Sequence, residues 1–299
     1  MIRRIWNRIP VKVQLLVPDR IKAIFNKKQL FEIDNLIANS ENSIDFLKSS
    51  LWKNPFLARN FITKLKFDKR SLIMNLSMSH VLSKGLPESG FILDLGCGPG
   101  YQLKEMLVKG KIIGLDSSII LLNEAKSVNS KLLPERSFIC GDTFNLPFKS
   151  NSLSGVFSRM FVYHFENWPS IFAEISRVVK VEGIVNIHLA NFEHNSIQNS
   201  FVKQNGAPDS TDKSLYNSKP SIQDIEKVGT ELGLKVLSRI PVQYFNSQQH
   251  EGRPLFQNFE KNLLKNEFFN FILWFETNIT ELLPIEHSPW QVIQFQKFK

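Results

Sequence analysis

Cysteine is scarce: two residues in a chain of 299 cannot build a disulfide framework. Cys97 and Cys140 form no Cys-x-x-Cys pair, and no His or Cys cluster has zinc spacing. Small buried packing residues are the reading for both. Long hydrophobic runs are missing too. The densest, Phe268 to Phe275, is interrupted by Asn270 and is far too short to cross a bilayer. The basic start runs into Pro10, Lys12 and Pro18 rather than the clean apolar stretch of a secretory signal. Together these absences predict a cytoplasmic protein with no metal site. Internal repeats and low-complexity tracts are absent, and 42% apolar with 22% charged residues excludes wholesale disorder.

Acidic charge is the next shortage, because the formal net charge is +9. The excess is local. Residues 1 to 28 hold Arg3, Arg4, Arg8, Lys12, Arg20, Lys22, Lys27 and Lys28 against Asp19 alone, +7 of the total, so the body is nearly neutral. A basic body would suggest nucleic acid; a basic arm interleaved with Ile5, Trp6, Ile9 and Leu16 suits peripheral contact with an anionic membrane. A solvated tail or an RNA-binding segment remains the alternative.

Hydrophobic periodicity divides the rest. Residues 1–30 are the arm and 31–85 a helical cap, with breaks at Pro55 and near Asp68. From residue 86 to 299 short apolar strands alternate with helices. The strands are Phe91 to Leu95, Lys111 to Leu115, Ser137 to Cys140, Leu153 to Phe157, Ile184 to Leu189, Leu234 to Phe245 and Trp290 to Phe298. The helices run over Tyr101 to Val108, Ser118 to Val128, Trp168 to Val179 and Ser221 to Leu232, with Gly233 as a stop. This rhythm predicts an α/β, Rossmann-like, mostly parallel seven-stranded sheet with helices on both faces. Functional loops then gather at its carboxyl edge. Residues 191–220 read as a polar loop or lid and 255–283 as an apolar helical insertion suited to core packing or a homodimer face, with a pocket for an apolar acceptor as the alternative.

The strongest local signal is Phe91-Ile92-Leu93-Asp94-Leu95-Gly96-Cys97-Gly98-Pro99-Gly100. Three glycines after a strand turn the backbone tightly and let a ligand approach without Cβ interference. A dinucleotide fingerprint would need a small residue where Tyr101 stands, and a P-loop would need Gly-Lys-Ser or Gly-Lys-Thr, which is absent. Asp94 would sit badly beside a pyrophosphate but well beside an ammonium group. Two further acids follow strand ends: Asp116 in Ile112-Ile113-Gly114-Leu115-Asp116-Ser117, and Asp142 in Cys140-Gly141-Asp142-Thr143.

The first stretch resembles motif I of the class I S-adenosylmethionine-dependent methyltransferases. The likeness continues through Leu153 to Ser158, Phe161-Val162-Tyr163-His164-Phe165 and Glu174 to Gly183, and is similar to small-molecule enzymes of the quinone-biosynthesis kind. Two departures stand out: Ser154 replaces the usual strand-four Asp, and Val181-Glu182 replaces Pro-Gly before Gly183. The resemblance implies S-adenosyl-L-methionine as cofactor. It implies contacts from Asp94 (amino end), Gly96, Cys97, Gly98, Gly100, Asp116 (ribose), Ser117, Asp142 (adenine), Thr143 and Ser158. It also implies transfer to a small-molecule, lipid-like or glycan acceptor.

An acceptor that must lose a proton needs a base. His164, with Tyr163 beside it, is the candidate by location; His188 and His194 stand behind it. Arg159 could anchor an acidic acceptor or face a surface carboxylate. One rival reading is an RNA or DNA methyltransferase. Against it, Ser158-Arg159-Met160-Phe161 stands where amino-directed base methylation has Asp/Asn-Pro-Pro-Tyr/Phe, and there is no Pro-Cys nucleophile. The other rival is a non-catalytic cofactor-binding regulator or assembly subunit, which would keep all three acids.

Overall fold

A computed structural model describes residues 55–67, 69–133, 135–191, 218, 220–244 and 265–299. The basic arm, the first part of the helical cap, His194, most of the polar loop and the start of the late insertion lie outside the described residues.

Two helices, α1 (Pro55–Phe67) and α2 (Lys69–Ser83), lead into β1 (Phe91–Leu95). Then come β2 (Lys111–Asp116), α3 (Ile119–Val128), β3 (Arg136–Cys140), β4 (Leu153–Arg159), α4 (Trp168–Val178) and β5 (Val179–Ala190). The remainder supplies α5 (Ile222–Glu231), β6 (Leu234–Val242), α6 (Asn266–Asn278) and β7 (Trp290–Lys297). The seven strands order as β3-β2-β1-β4-β5-β7-β6. β1 to β5 are parallel, while β7 runs antiparallel to both β5 and β6. The predicted Rossmann-like sheet is therefore present, with chain reversal from β3 to β4 across β1, where such sheets open a crevice.

Local chemistry accounts for the element ends. The Ser118 side chain accepts from the Leu121 N–H to start α3, and Ser221 with Asp224 forms a capping box on α5. Gly233, at φ +83°, ends α5. One face of the sheet carries Leu93, Leu95, Val156, Val185, Ile187, Ile293 and Phe295 under α4 and α5. The other carries Ile92, Ile112, Phe157, Ile184 and Val292 against Met78 and Leu82 of α2 and Leu122 and Ala125 of α3. Asn186 is on this second face and donates to the Leu82 and Lys84 carbonyls, at 2.8 and 3.0 Å, fixing the end of α2.

The structure differs from expectation in three places. The helix expected over Tyr101 to Val108 is a single 3-10 turn, Leu103–Glu105. Gln102 is drawn into a buried polar contact and Met106 is extended, with Leu103 and Met106 buried, so packing overrides the weak helical period. β5 begins earlier, at Val179, and β6 stops at Val242. The described part of the late insertion, α6, packs against α2 through Ile272 and Ile73, leaving Phe271 and Trp274 about half exposed.

No helix among the described residues is long and apolar enough to cross a membrane.

Candidate functional site

The glycine turn closes on β2. The Gly96 and Cys97 N–H groups both donate to the Leu115 carbonyl, at 2.9 and 3.0 Å. All three glycines have positive φ, +74°, +52° and +68°, where a side chain is strained. Their surroundings differ. A Cβ on Gly96 would lie 2.1 Å from the Phe161 ring, and one on Gly100 would strike Ala125 of α3. A Cβ on Gly98 would meet nothing within 4 Å. The turn is thus packed at both ends and open in the middle.

Asp116 ends β2 beneath that opening. Its carboxylate accepts from the Gly98 N–H at 3.0 Å through Oδ2 and from the Ser118 N–H at 2.8 Å through Oδ1. Ser118, not Asp116, caps α3, so the acid is not spent on starting the helix. Burial lifts its carboxyl to about 6, against the lowering effect of the Ser118, Gly98 and Ser117 backbone donors. Asp94, two positions from the Gly turn, is also buried. Burial pushes it up to about 8, with Arg159 opposing and Asp116 adding to the rise.

Beyond β3, Asp142 Oδ1 accepts from the Phe144 N–H at 2.8 Å, shaping the turn. Thr143 Oγ1 is buried and finds no partner. Glu174 and Arg177 of α4 hold the following loop: Glu174 accepts from the Leu146 N–H at 2.6 Å, and Arg177 donates to the Leu146 and Phe148 carbonyls. Ser117 is half-buried, and its carbonyl accepts from the Cys140 thiol. The Cys97 side chain packs on Gly114 and Phe138, and burial raises its thiol well above the usual range, in keeping with a packing role.

β4 supplies the far wall. Ser158 donates to the Leu95 carbonyl at 2.9 Å, binding β4 to β1. Met160, at φ +51°, turns the chain sharply after Arg159 and lays the Phe161 ring over Gly96. Phe161 and Phe144 each meet Phe165 edge-on, with centroids at 5.0 and 5.3 Å. Tyr163 is fully buried in the core and His164 half-buried beside it, ring centroids 4.9 Å apart.

Sequence reasoning left Arg159 undecided between an acidic acceptor and a surface carboxylate. The structure removes the second: Arg159 Nη1 donates to Asn75 Oδ1 of α2 at 2.7 Å and to Gln102 Oε1 at 2.8 Å. Asn75 and Gln102 were not anticipated. The only signal was a polar Asn on an otherwise apolar stretch of α2. His188 proves wholly buried, stacked on Trp290 with centroids 5.3 Å apart. Burial and Arg159 together depress its imidazole well below the usual range.

An open glycine cradle is thus flanked by two buried acids, with an unpartnered hydroxyl beyond the next strand, leaving both room and polar groups for a ligand. No His, Cys, Asp or Glu group that could hold a metal ion occurs among the described residues.

Residues 93–187 match the family model for a methyltransferase domain. An uncharacterised protein of Methanocaldococcus jannaschii is 24% identical over 222 residues, 72% of this chain and 76% of its own length. A malonyl-acyl-carrier-protein O-methyltransferase of Legionella pneumophila is 30% identical over 95 residues, 31% of this chain. The matched region spans about a third of that enzyme, 33%. In structure, phosphoethanolamine N-methyltransferase 2 of Haemonchus contortus, solved with phosphomonomethylethanolamine and S-adenosylhomocysteine, superposes with a TM-score of 0.56. It is 19% identical, over 84% of this chain and 61% of that one, a likeness of fold.

Proposed function

The chain belongs, through residues 93–187, to the class I S-adenosylmethionine-dependent methyltransferases, and from that premise we propose that it methylates a small-molecule, lipid-like or glycan acceptor. The observation that carries the reading is the opening at Gly98, where the backbone N–H is held by the Asp116 carboxylate and no side chain fills the space. When bound, S-adenosylmethionine supplies a methyl group on a sulfonium, open to in-line displacement.

The chain's own residues bind and orient. Asp94 takes the ammonium group, and Gly96, Gly98 and Gly100 let the backbone pass close to the ligand. Asp116 accepts from the ribose hydroxyls, with Asp142 and Thr143 at the adenine. Phe161 and Phe165 keep water from the reacting centre. His164 is placed to take a proton from a hydroxyl or carbon acid, and Tyr163 positions the turn that carries it. The near-neutral body supports a small acceptor over nucleic acid. The arm, residues 1–28, supports attachment of a cytoplasmic protein to an anionic membrane. Each nearby Lys or Arg contributes about 1 kcal/mol there.

Incubation with methyl-labelled S-adenosylmethionine and fractionated extract of the source cells tests the proposal. Label in the organic-solvent, aqueous or glycan fraction supports it. Label in nucleic acid overturns it. Cofactor binding without label anywhere favours a non-catalytic binder. Deleting residues 1–28 should abolish flotation with anionic liposomes; unchanged flotation removes the membrane role.

A further inference from the structure

On the sheet face covered by α2, four side chains form a row across the carboxyl edge. Strand register places them there. Asp94 pairs with Phe157, two residues before Arg159; Arg159 pairs with His188; Ala190, two residues on, pairs with Trp290. Alternation along each strand then puts Asp94, Arg159, His188 and Trp290 on one face. Asn75 and Gln102 close over the row by binding Arg159 Nη1.

We infer that Arg159 and His188 form an anion-recognition subsite, and that the acceptor carries a carboxylate. The inference rests on the methyltransferase reading, which makes this edge the acceptor side.

Two independent observations carry it. The first is a half-buried guanidinium whose hydrogen-bond partners are neutral amide oxygens. Among the described residues it makes no ion pair, although a cation removed from water needs a counter-charge. The second is His188: its side chain is completely buried, yet neither Nδ1 nor Nε2 has a hydrogen-bond partner. Buried polar groups without partners are rare in folded proteins and call for a ligand or water.

Asp94 acts on Arg159 through space but makes no ion-pair contact with it. Burial favours its neutral form when the site is empty, and in the proposed function it answers to the cofactor's ammonium. A carboxylate suits Arg159 because the guanidinium fork matches its two oxygens. One negative charge balances one positive charge; a phosphate dianion would bring an excess beside the apolar ring of Trp290. Neutral His188 donates a ring N–H to the same carboxylate. The Arg159 cation that helps hold it neutral also makes it a poor base, so the row binds rather than removes protons.

The test is titration calorimetry on the full chain saturated with S-adenosylhomocysteine, using octanoate, 1-octanol, octylamine and octyl phosphate as probes. Octanoate should bind at least about tenfold more tightly than the other three. Arg159→Gln should erase that preference, and Arg159→Lys should keep part of it because the charge remains without the fork. His188→Asn should weaken octanoate while leaving 1-octanol unchanged. Octanoate no tighter than 1-octanol, including binding of neither, overturns the inference. So does tighter binding of octyl phosphate, or an Arg159→Gln protein that keeps the preference. Failure to bind S-adenosylhomocysteine at all would strike the methyltransferase reading itself, a separate and visible result.

Discussion

The Gly98 amide and the Asp116 carboxylate are joined by a hydrogen bond of 3.0 Å, and through it the end of β2 sets the height of the glycine turn. The acid has a second oxygen on the Ser118 N–H, so it couples the turn to the start of α3. Asp116→Asn keeps an acceptor for one amide but loses the charge that a diol would use. Affinity for S-adenosylhomocysteine should fall by about 1.5–3 kcal/mol, roughly ten- to a hundredfold, with the fold retained by circular dichroism. Titration calorimetry measures the loss; unchanged affinity would remove Asp116 from the site.

Asp94 gives the site a pH signature. Its folded pKa of about 8 lies above the unfolded carboxyl value of about 3.9. Between these limits the folded state holds a proton that the unfolded state has released. Stability of the empty protein should therefore fall as pH rises from about 4 to 8. Asp116, raised to about 6, adds the same sign over the lower part of that window. Binding of the ammonium favours ionised Asp94, so affinity for S-adenosylhomocysteine should climb between pH 6 and 8 and level off above. Asp94→Asn should flatten both profiles, read by urea melts and calorimetry across pH.

Gly96 and Gly98 should respond to alanine in opposite ways. Gly96→Ala drives a methyl into the Phe161 ring and should cost stability by about 1–3 kcal/mol, with Tm lowered by several degrees. Gly98→Ala meets no protein atom, so only the strain of positive φ is felt, about 1 kcal/mol. It should fold, yet lose cofactor binding because the methyl enters the space left for the ligand. Thermal melts paired with binding isotherms separate the two.

His164→Ala should lower kcat about 10²–10⁴-fold. A His164→Ala enzyme with unchanged kcat across pH would end the base assignment.

Glu182 stands in left-handed backbone at φ +68°, a conformation that favours glycine. It is exposed and far from the carboxyl edge, so Glu182→Gly should stabilise the fold by about 1 kcal/mol without altering binding. A chemical melt with unchanged slope would show it.

Much of this was legible in the order of residues. Strands β1 to β4 carry short apolar runs ending in Gly, Asp or Ser, with Asp94 inside β1, Asp116 closing β2 and Asp142 just past β3. Local patterns failed where distant packing decides. Nothing around Gln102 reveals that its side chain will serve Arg159, 57 residues on, and this contact is part of why residues 101–108 make one tight turn instead of a helix. Arg159 itself reads as an exposed charge until α2, which precedes β1, closes over it. His188 looks like an alternating polar residue; only the stacking of Trp290, brought in by an antiparallel strand from over a hundred residues away, makes it interior.

That antiparallel strand also sets an order of assembly. Among the described strands β6 pairs with β7 alone, and residues 243–289 separate them. As the chain leaves the ribosome, β1 to β5 can find their parallel neighbours while β6 must wait with both edges bare. During that interval His188 lacks its indole cover and β5 lacks a neighbour on one side. A nascent chain halted before Trp290 is the form in which this protein would be most exposed to aggregation and to chaperones.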